Sequence, residues 1–407
     1  MYNRWVENSI KNALKTRRIV ILSGSRQCGK TTLAKMLTND NCVYRTLDDI
    51  ALFKAAQNDP HGFVKNSPNK TMIIDEIQRV PELLTAIKKA VDENTRYAQY
   101  LITGSVNIQT LPTVKESLAG RVKKRRLRTL TQGEILKKKP QFLYRLQNNE
   151  FTNNTKYDKE TIMNLIFKGG FPEPLALKDK HDIKSWYKDY INTIIEYDLK
   201  DIANIKRQEI LKKLIEVISS YSSKFIDKTK ITSALGISSQ TLNSYLCVLE
   251  NTYIIDQLYP WIKTDYERIN KQSKYYITDT GLMNSVLNWN FDNVFLDADR
   301  SGKIFETFAY AQIAAQVELE NDTYSLYHYR DREQREIDFI IHSENKIYGI
   351  EIKAGSNMSS NYFKHLKWFK NNLTNGKDFI GIVLYTGESA LSFGDGLYAV
   401  PMNNLWE

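Results

Sequence analysis

The chain has 407 residues, 42% of them hydrophobic and 26% charged, and a net charge of +10. That balance belongs to a globular protein too long for one ordinary core, so two or three domains are expected. No opening segment reads as a signal peptide, the longest charge-free stretch (231–249) is too rich in Ser, Thr, Asn and Gln to cross a membrane, and Cys28, Cys42 and Cys247 form no C-x-x-C pair, which excludes a disulfide framework or zinc site and fits a cytoplasmic location.

The first 130 residues alternate strands with helices. Strands are expected at 18–23, 42–47, 71–75, 100–103 and 125–130, and a helix at 30–38. Apolar strands ending in polar loops, with helices between them, predict an α/β fold with a parallel sheet covered on both faces. After the first strand comes Gly24-Ser25-Arg26-Gln27-Cys28-Gly29-Lys30-Thr31, which fits G-x-x-x-x-G-K-[ST] at every fixed position. Glycines let such a loop turn its backbone N–H groups toward phosphates, and the following helix offers its positive end. Residues 24–31 with Thr32 are therefore the expected nucleotide-binding set. Lys30 is expected to reach the β- and γ-phosphates, and the Thr31 hydroxyl to ligate Mg²⁺.

The strand at 71–75 ends in Asp75-Glu76. Beside a P-loop, the first acid is expected to hold Mg²⁺ and the second to orient the attacking water. The strand at 100–103 ends in Thr103-Gly104-Ser105, where a γ-phosphate sensor is expected; Thr103 is the first choice and Ser105 the second. Arg121 opens a run in which six of eight residues are Lys or Arg. It is a candidate finger for the nucleotide of a neighbouring subunit, which would require a homo-oligomer.

Residues 140–160 are polar and read as a loop or insertion. Residues 161–262 read as helical, with helix–turn–helix spacing across 231–251 and a strand at 253–258. The second of those helices carries no Lys or Arg, so Gln240, Asn243 and Ser244 could read bases only with a cationic drive from elsewhere. From about 263 the pattern becomes mixed α+β. Two strands, 336–341 and 347–354, flank a polar turn. Glu351 and Lys353 share a strand face, and pairing could bring Asp338 beside them. Two carboxylates and a lysine suit metal-dependent phosphodiester cleavage, the acids holding Mg²⁺ or Mn²⁺.

The order of motifs resembles a group of bacterial and archaeal AAA-type ATPases whose C-terminal half is a domain of unknown function. The resemblance rests on 24–31, Ile74-Asp75-Glu76-Ile77-Gln78, 101–105 and 117–121. It continues through Gly169-Gly170-Phe171-Pro172-Glu173-Pro174, 274–282, 302–306 and 335–339 with 350–353. It implies ATP binding and hydrolysis, a winged-helix-like middle segment and a C-terminal nuclease-like fold. Asp338, Glu351 and Lys353 likewise resemble the PD-(D/E)xK nuclease core, in which Glu306 would be the helical acid; Asp338 follows Glu336-Ile337 instead of proline.

The expected domains are an ATPase domain at 1–135, a helical linker at 136–200, a winged-helix-like domain at 201–262 and a nuclease-like domain at 263–407. The leading functional reading is an ATP-dependent switch. The alternatives are an ATP-gated metal-dependent nuclease and a nucleotide-sensing regulator that binds DNA or protein.

Overall fold

The computed structural model describes residues 1–105, 120–153, 155–198, 208–263, 272–320, 322–374 and 376–407, without the side chains of residues 197 and 198. These divide into two compact units. One comprises 1–129 with 251–253; the other comprises 130–250 with 254–407.

The first unit is built on five parallel strands, β1 (Ile19–Ser23), β2 (Cys42–Thr46), β3 (Thr71–Asp75), β4 (Tyr100–Gly104) and β5 (Val122–Arg126), in the order β2-β3-β4-β1-β5. Strands β1, β3 and β4 are central and almost wholly buried, which is why they read as apolar runs. Ile19, Ile21, Met72, Ile74 and Ile102 pack with Leu84 and Ile87 from the helix Leu83–Glu93. The last strand lies three to four residues before its expected place at 125–130. It is an edge strand of sequence Val-Lys-Lys-Arg-Arg, only half-buried, so it carries no apolar signal; charged edges of this kind also discourage pairing with other chains.

The second unit contradicts the expected linker and loop. The stretch 140–160 contains a helix, Phe142–Asn148, and the helices from there to Thr193 share one hydrophobic core with the C-terminal sheet. Polar ties join the same parts: Gln312 accepts from the backbone N–H of Gln132, Gln316 from that of Phe142, and Asn404 from Thr152. Phe142, Leu146, Ile162 and Ile166 are fully buried, and apolar residues spaced for a buried helix face are not a linker.

The helix–turn–helix spacing corresponds to helices Lys228–Leu235 and Ser239–Asn251, with Gly236 in the left-handed conformation at the turn. Two antiparallel strands follow, β6 (Ile255–Leu258) and β7 (Lys274–Ile277). Gln240, Asn243 and Ser244 are exposed. Asn243 accepts a hydrogen bond from Lys228, so the preceding helix brings a cation to this otherwise uncharged face.

The C-terminal part is a six-stranded mixed sheet of β8 (Ser325–Arg330), β9 (Glu336–His342), β10 (Lys346–Lys353), β11 (Asp378–Tyr385), β12 (Leu391–Ser392) and β13 (Leu397–Pro401). Its order is β12-β13-β11-β10-β9-β8. One face, with Phe339, Tyr348, Ile350 and Ile382, packs in the same core as the helix Ala298–Leu319. The other, with Ile340, Ile347 and Val383, packs with Phe363, Leu366 and Phe369. Helices lie on both faces of this mixed sheet, which makes this part three-layered.

Candidate functional site

The loop after β1 is held by close backbone approach. A Cβ on Gly24 would lie 2.2 Å from the Leu127 carbonyl oxygen, so no other residue fits without moving the chain. Gly29 sits at φ 102°, a conformation natural only to glycine. Arg4 is buried and bonds the carbonyls of Cys28 (2.8 Å) and Arg128 (2.6 Å), fastening the loop to the segment after β5. Gly24→Ala is expected to cost about 1–3 kcal/mol, the usual range for overpacking, seen as a lower unfolding midpoint together with weaker nucleotide binding.

The helix Lys30–Met36 starts at the end of this loop. Lys30 is buried, and its Nζ donates to the Gly24 and Ser25 carbonyls at 3.0 and 2.8 Å. Thr31 Oγ1 donates to Asp75 Oδ2 at 2.9 Å. Tyr44 on β2 donates to the same oxygen at 2.7 Å, and Thr103 donates to Asp75 Oδ1. Asp75 is 1% exposed. Its carboxylate, at the end of a central strand, thus faces three hydroxyls from three elements. A hard oxygen donor set of one carboxylate and one hydroxyl fits Mg²⁺, which Thr31 and Asp75 would hold. When bound with ATP, the ion would neutralise phosphate charge.

Glu76 stands just beyond the strand with φ 60°, ψ 47°. Its backbone N–H donates to Thr103 Oγ1 at 3.3 Å, and its carboxylate accepts from Gln78, whose amide also donates to Ser105 Oγ at 3.0 Å. Burial raises the pKa of Glu76, partly offset by Lys30 and the Gln78 bond. Burial and then the Asp75 bond raise that of Tyr44. The structure therefore brings together Thr31, Asp75, Glu76, Thr103 and Ser105.

Arg121 is elsewhere. It precedes Val122, which pairs with Ile19 at the start of β1, whereas the loop follows the end of β1. It ion-pairs with Asp92 at 2.5 Å. A five-residue strand spans about 13–17 Å, so Arg121 is far from its own loop. Residues 117–119, expected before it, lie outside the described residues. Sequence reasoning missed Arg4, Tyr44 and Gln78; Tyr44 was findable, since β2 lies beside β3 in a parallel sheet.

The second group of expected residues forms an acidic centre in the second unit. Asp338 on β9 accepts from the Ile352 N–H at 2.8 Å, and Glu351 pairs with Lys353 at 3.1 Å. Glu306 accepts from Tyr276 at 2.7 Å. At the middle lies a residue that was not expected, Lys274 on β7. It is 0% exposed, with Nζ 2.9 Å from Glu306, 2.6 Å from Glu336 and 3.7 Å from Asp338. Burial pushes the Lys274 pKa down, but Glu306, Asp338 and Glu336 together more than reverse this and raise it. Burial, and next Asp338, pushes Glu306 up to about 7 and Glu351 well above the carboxylate range. The space that a divalent metal would need between Glu306 and Asp338 is filled by an ammonium group, so these residues do not fit such an ion. In the sequence Lys274 only opens an aromatic stretch, Lys274-Tyr275-Tyr276, which does not mark it as buried.

Residues 16–136 match the AAA domain family AAA_14; 159–293 and 301–405 match two domains of unknown function, DUF8612 and DUF4143. An uncharacterized protein of Mycobacterium tuberculosis is 25% identical over 399 residues, 97% of this chain and 82% of that one. Another, from Methanocaldococcus jannaschii, is 26% identical over 356 residues, 84% of this chain and 76% of that one. Among solved structures, AMPPCP-bound DnaA from Aquifex aeolicus has a TM-score of 0.29 at 15% identity, covering 60% of this chain and 85% of that one. A signal transduction ATPase with numerous domains from Pyrococcus horikoshii has a TM-score of 0.26 at 14% identity, covering 76% and 44%. At TM-scores below 0.5 neither carries the assignment, which rests on the family match, the parallel sheet and the loop. Residues 16–136 are similar to AAA domains and have the parallel sheet and loop of the P-loop NTPase α/β fold. Among the described residues, no helix is long and apolar enough to cross a membrane.

Proposed function

We propose that this chain is an ATP-hydrolysing switch whose nucleotide state acts on its second unit, a nuclease-like fold preceded by a winged-helix-like segment. The observation that carries the reading is the bonding of one carboxylate, Asp75, to both the P-loop Thr31 and the strand-end Thr103, with the Glu76 N–H on the same Thr103. In this reading residues 24–32 cradle the phosphates of ATP and Lys30 steadies the β- and γ-phosphates. Thr31 and Asp75 hold Mg²⁺, and Glu76 aligns the attacking water. Thr103, bonded to the Asp75 carboxylate and to the Glu76 backbone N–H, registers whether the γ-phosphate is present. Arg121 would assist only in a homo-oligomer, on the nucleotide of an adjacent copy. Nucleic acid or a protein is the partner class in view for the second unit, with the Lys228–Asn243 pair on the exposed helix face as one cationic point.

ATP turnover and nucleotide affinity should both fall in Lys30→Ala. The affinity loss should be on the order of ten- to a hundredfold, as for hydrogen bonds to charged groups worth about 1.5–3 kcal/mol. Phosphate release and titration with a fluorescent ATP analogue provide the measurements. Unchanged affinity in Lys30→Ala would remove the phosphate-binding assignment.

A further inference from the structure

We propose that Lys274 is the resident cation of the C-terminal acidic centre, and that this centre is thereby closed to divalent metal. Three observations converge. Lys274 has no exposed surface, so its ammonium group cannot be solvated and must be satisfied by protein. Its Nζ sits at hydrogen-bonding distance from Glu306 and Glu336, and 3.7 Å from Asp338, three acids carried by a helix and a strand that flank it. The remaining carboxylates are engaged as well. The second oxygen of Asp338 accepts from the Ile352 N–H, and one oxygen of Glu351 from Lys353. Among the described residues Glu351 Oε1 is buried without a hydrogen-bond partner, but Lys274 already occupies the oxygens of Glu306, Glu336 and Asp338 that a Mg²⁺- or Mn²⁺-sized ion would have to draw in beside it.

The chemistry of the two cations differs in a way that makes them mutually exclusive. An ammonium group donates along N–H directions to oxygens at about 2.7–2.9 Å. A small divalent ion draws its oxygens in to about 2.0–2.1 Å and demands near-octahedral order. Placing both among the same carboxylates would set a double positive charge against the lysine inside a region of low dielectric, where charges interact strongly. Lysine also arrives covalently tethered, at a concentration no dissolved ion matches. It therefore holds the centre closed and ties β7 to the helix Ala298–Leu319 and to β9. The Lys274 centre and the ATP site at Gly24–Thr31 share no residue, so either assignment can fail without the other.

The test is Mn²⁺ binding in the full chain without nucleotide, followed by the electron paramagnetic resonance signal of free Mn²⁺. Wild type and Asp338→Asn should bind Mn²⁺ alike, because no site depends on Asp338. Lys274→Ala should gain one Mn²⁺ site, which Lys274→Ala combined with Asp338→Asn should lose again. Mn²⁺ should raise the unfolding midpoint of Lys274→Ala and leave that of wild type unmoved by the Asp338-dependent route. Wild-type Mn²⁺ binding that Asp338→Asn weakens by about tenfold or more, a step of 1.4 kcal/mol, would overturn the proposal. A natively folded Lys274→Ala that gains no site would overturn it equally. Should Lys274→Ala not fold, the comparison of wild type with Asp338→Asn decides alone.

Discussion

Glu76→Gln is expected to slow phosphate release by about 10²–10⁴-fold, the range that a positioned general base supplies, while ATP still binds. The substitution is nearly isosteric, and the bond to Gln78 can persist through the amide oxygen. The backbone at Glu76 has φ 60°, but Gln27 adopts φ 59° in the same unit, so glutamine is compatible with that conformation. What the variant loses is the negative charge and the ability to take a proton. Burial raises the Glu76 pKa above the ordinary carboxylate value. The acid limb of the rate profile should accordingly be displaced upward in pH, with activity falling as the pH drops through that raised value, and the limb should vanish in Glu76→Gln. Single-turnover phosphate release across pH, beside nucleotide titration, reads both effects. Equal turnover in the two proteins would end the assignment. Loss of ATP binding in the variant would instead make Glu76 part of the nucleotide cradle.

How much of this was legible in the sequence follows from where each signal originates. Residues 24–31, Asp75, Glu76 and Thr103 were legible because a phosphate cradle and an ion site constrain residue type at fixed spacing on consecutive segments. Strand β3 was found to the residue because both its faces are buried and its run is continuous. Strand β5 was displaced because an edge strand made of Lys and Arg has neither alternation nor apolarity. The linker failed for a different reason. Ile162 and Ile166 look like the core of a local helical segment and Phe142 lies in a polar stretch, and only the fold reveals that all three share a core with the C-terminal sheet. Lys274 was illegible in kind. A lysine carries no mark of burial, and its three carboxylates come from positions 32 to 64 residues further on. The acids Glu306 and Asp338 were singled out from the sequence, and the structure sets both around Lys274, which changes the chemistry proposed for them.

That change gives the last prediction. Lys274→Met should destabilise the chain by about 3–5 kcal/mol at pH 8, the cost of removing one partner from a buried ionic cluster, and by much less at pH 5. The sign follows from linkage. Glu306 has its pKa raised to about 7 by burial and by Asp338. Its favourable contribution is therefore fully present below the ordinary value of 4.5 and is lost as pH rises through about 7. Lys274 limits that loss by supplying the counter-charge. Its own pKa is raised, so it remains charged across this window in both states and contributes no slope of its own. Without it, Glu306 is harder still to ionise in the folded state, and the deficit grows from pH 5 to pH 8. Glu336, with a third of its side chain exposed, contributes less because water screens it. Five of the six tryptophans, Trp186, Trp261, Trp289, Trp368 and Trp406, lie in the second unit, so urea unfolding followed by tryptophan fluorescence reports mainly on it. A deficit equal at both pH values, or larger in acid, would mean that the lysine is not held by these carboxylates. A deficit that opens with pH identifies charge neutralisation, not packing of the methylene stem, as what Lys274 provides.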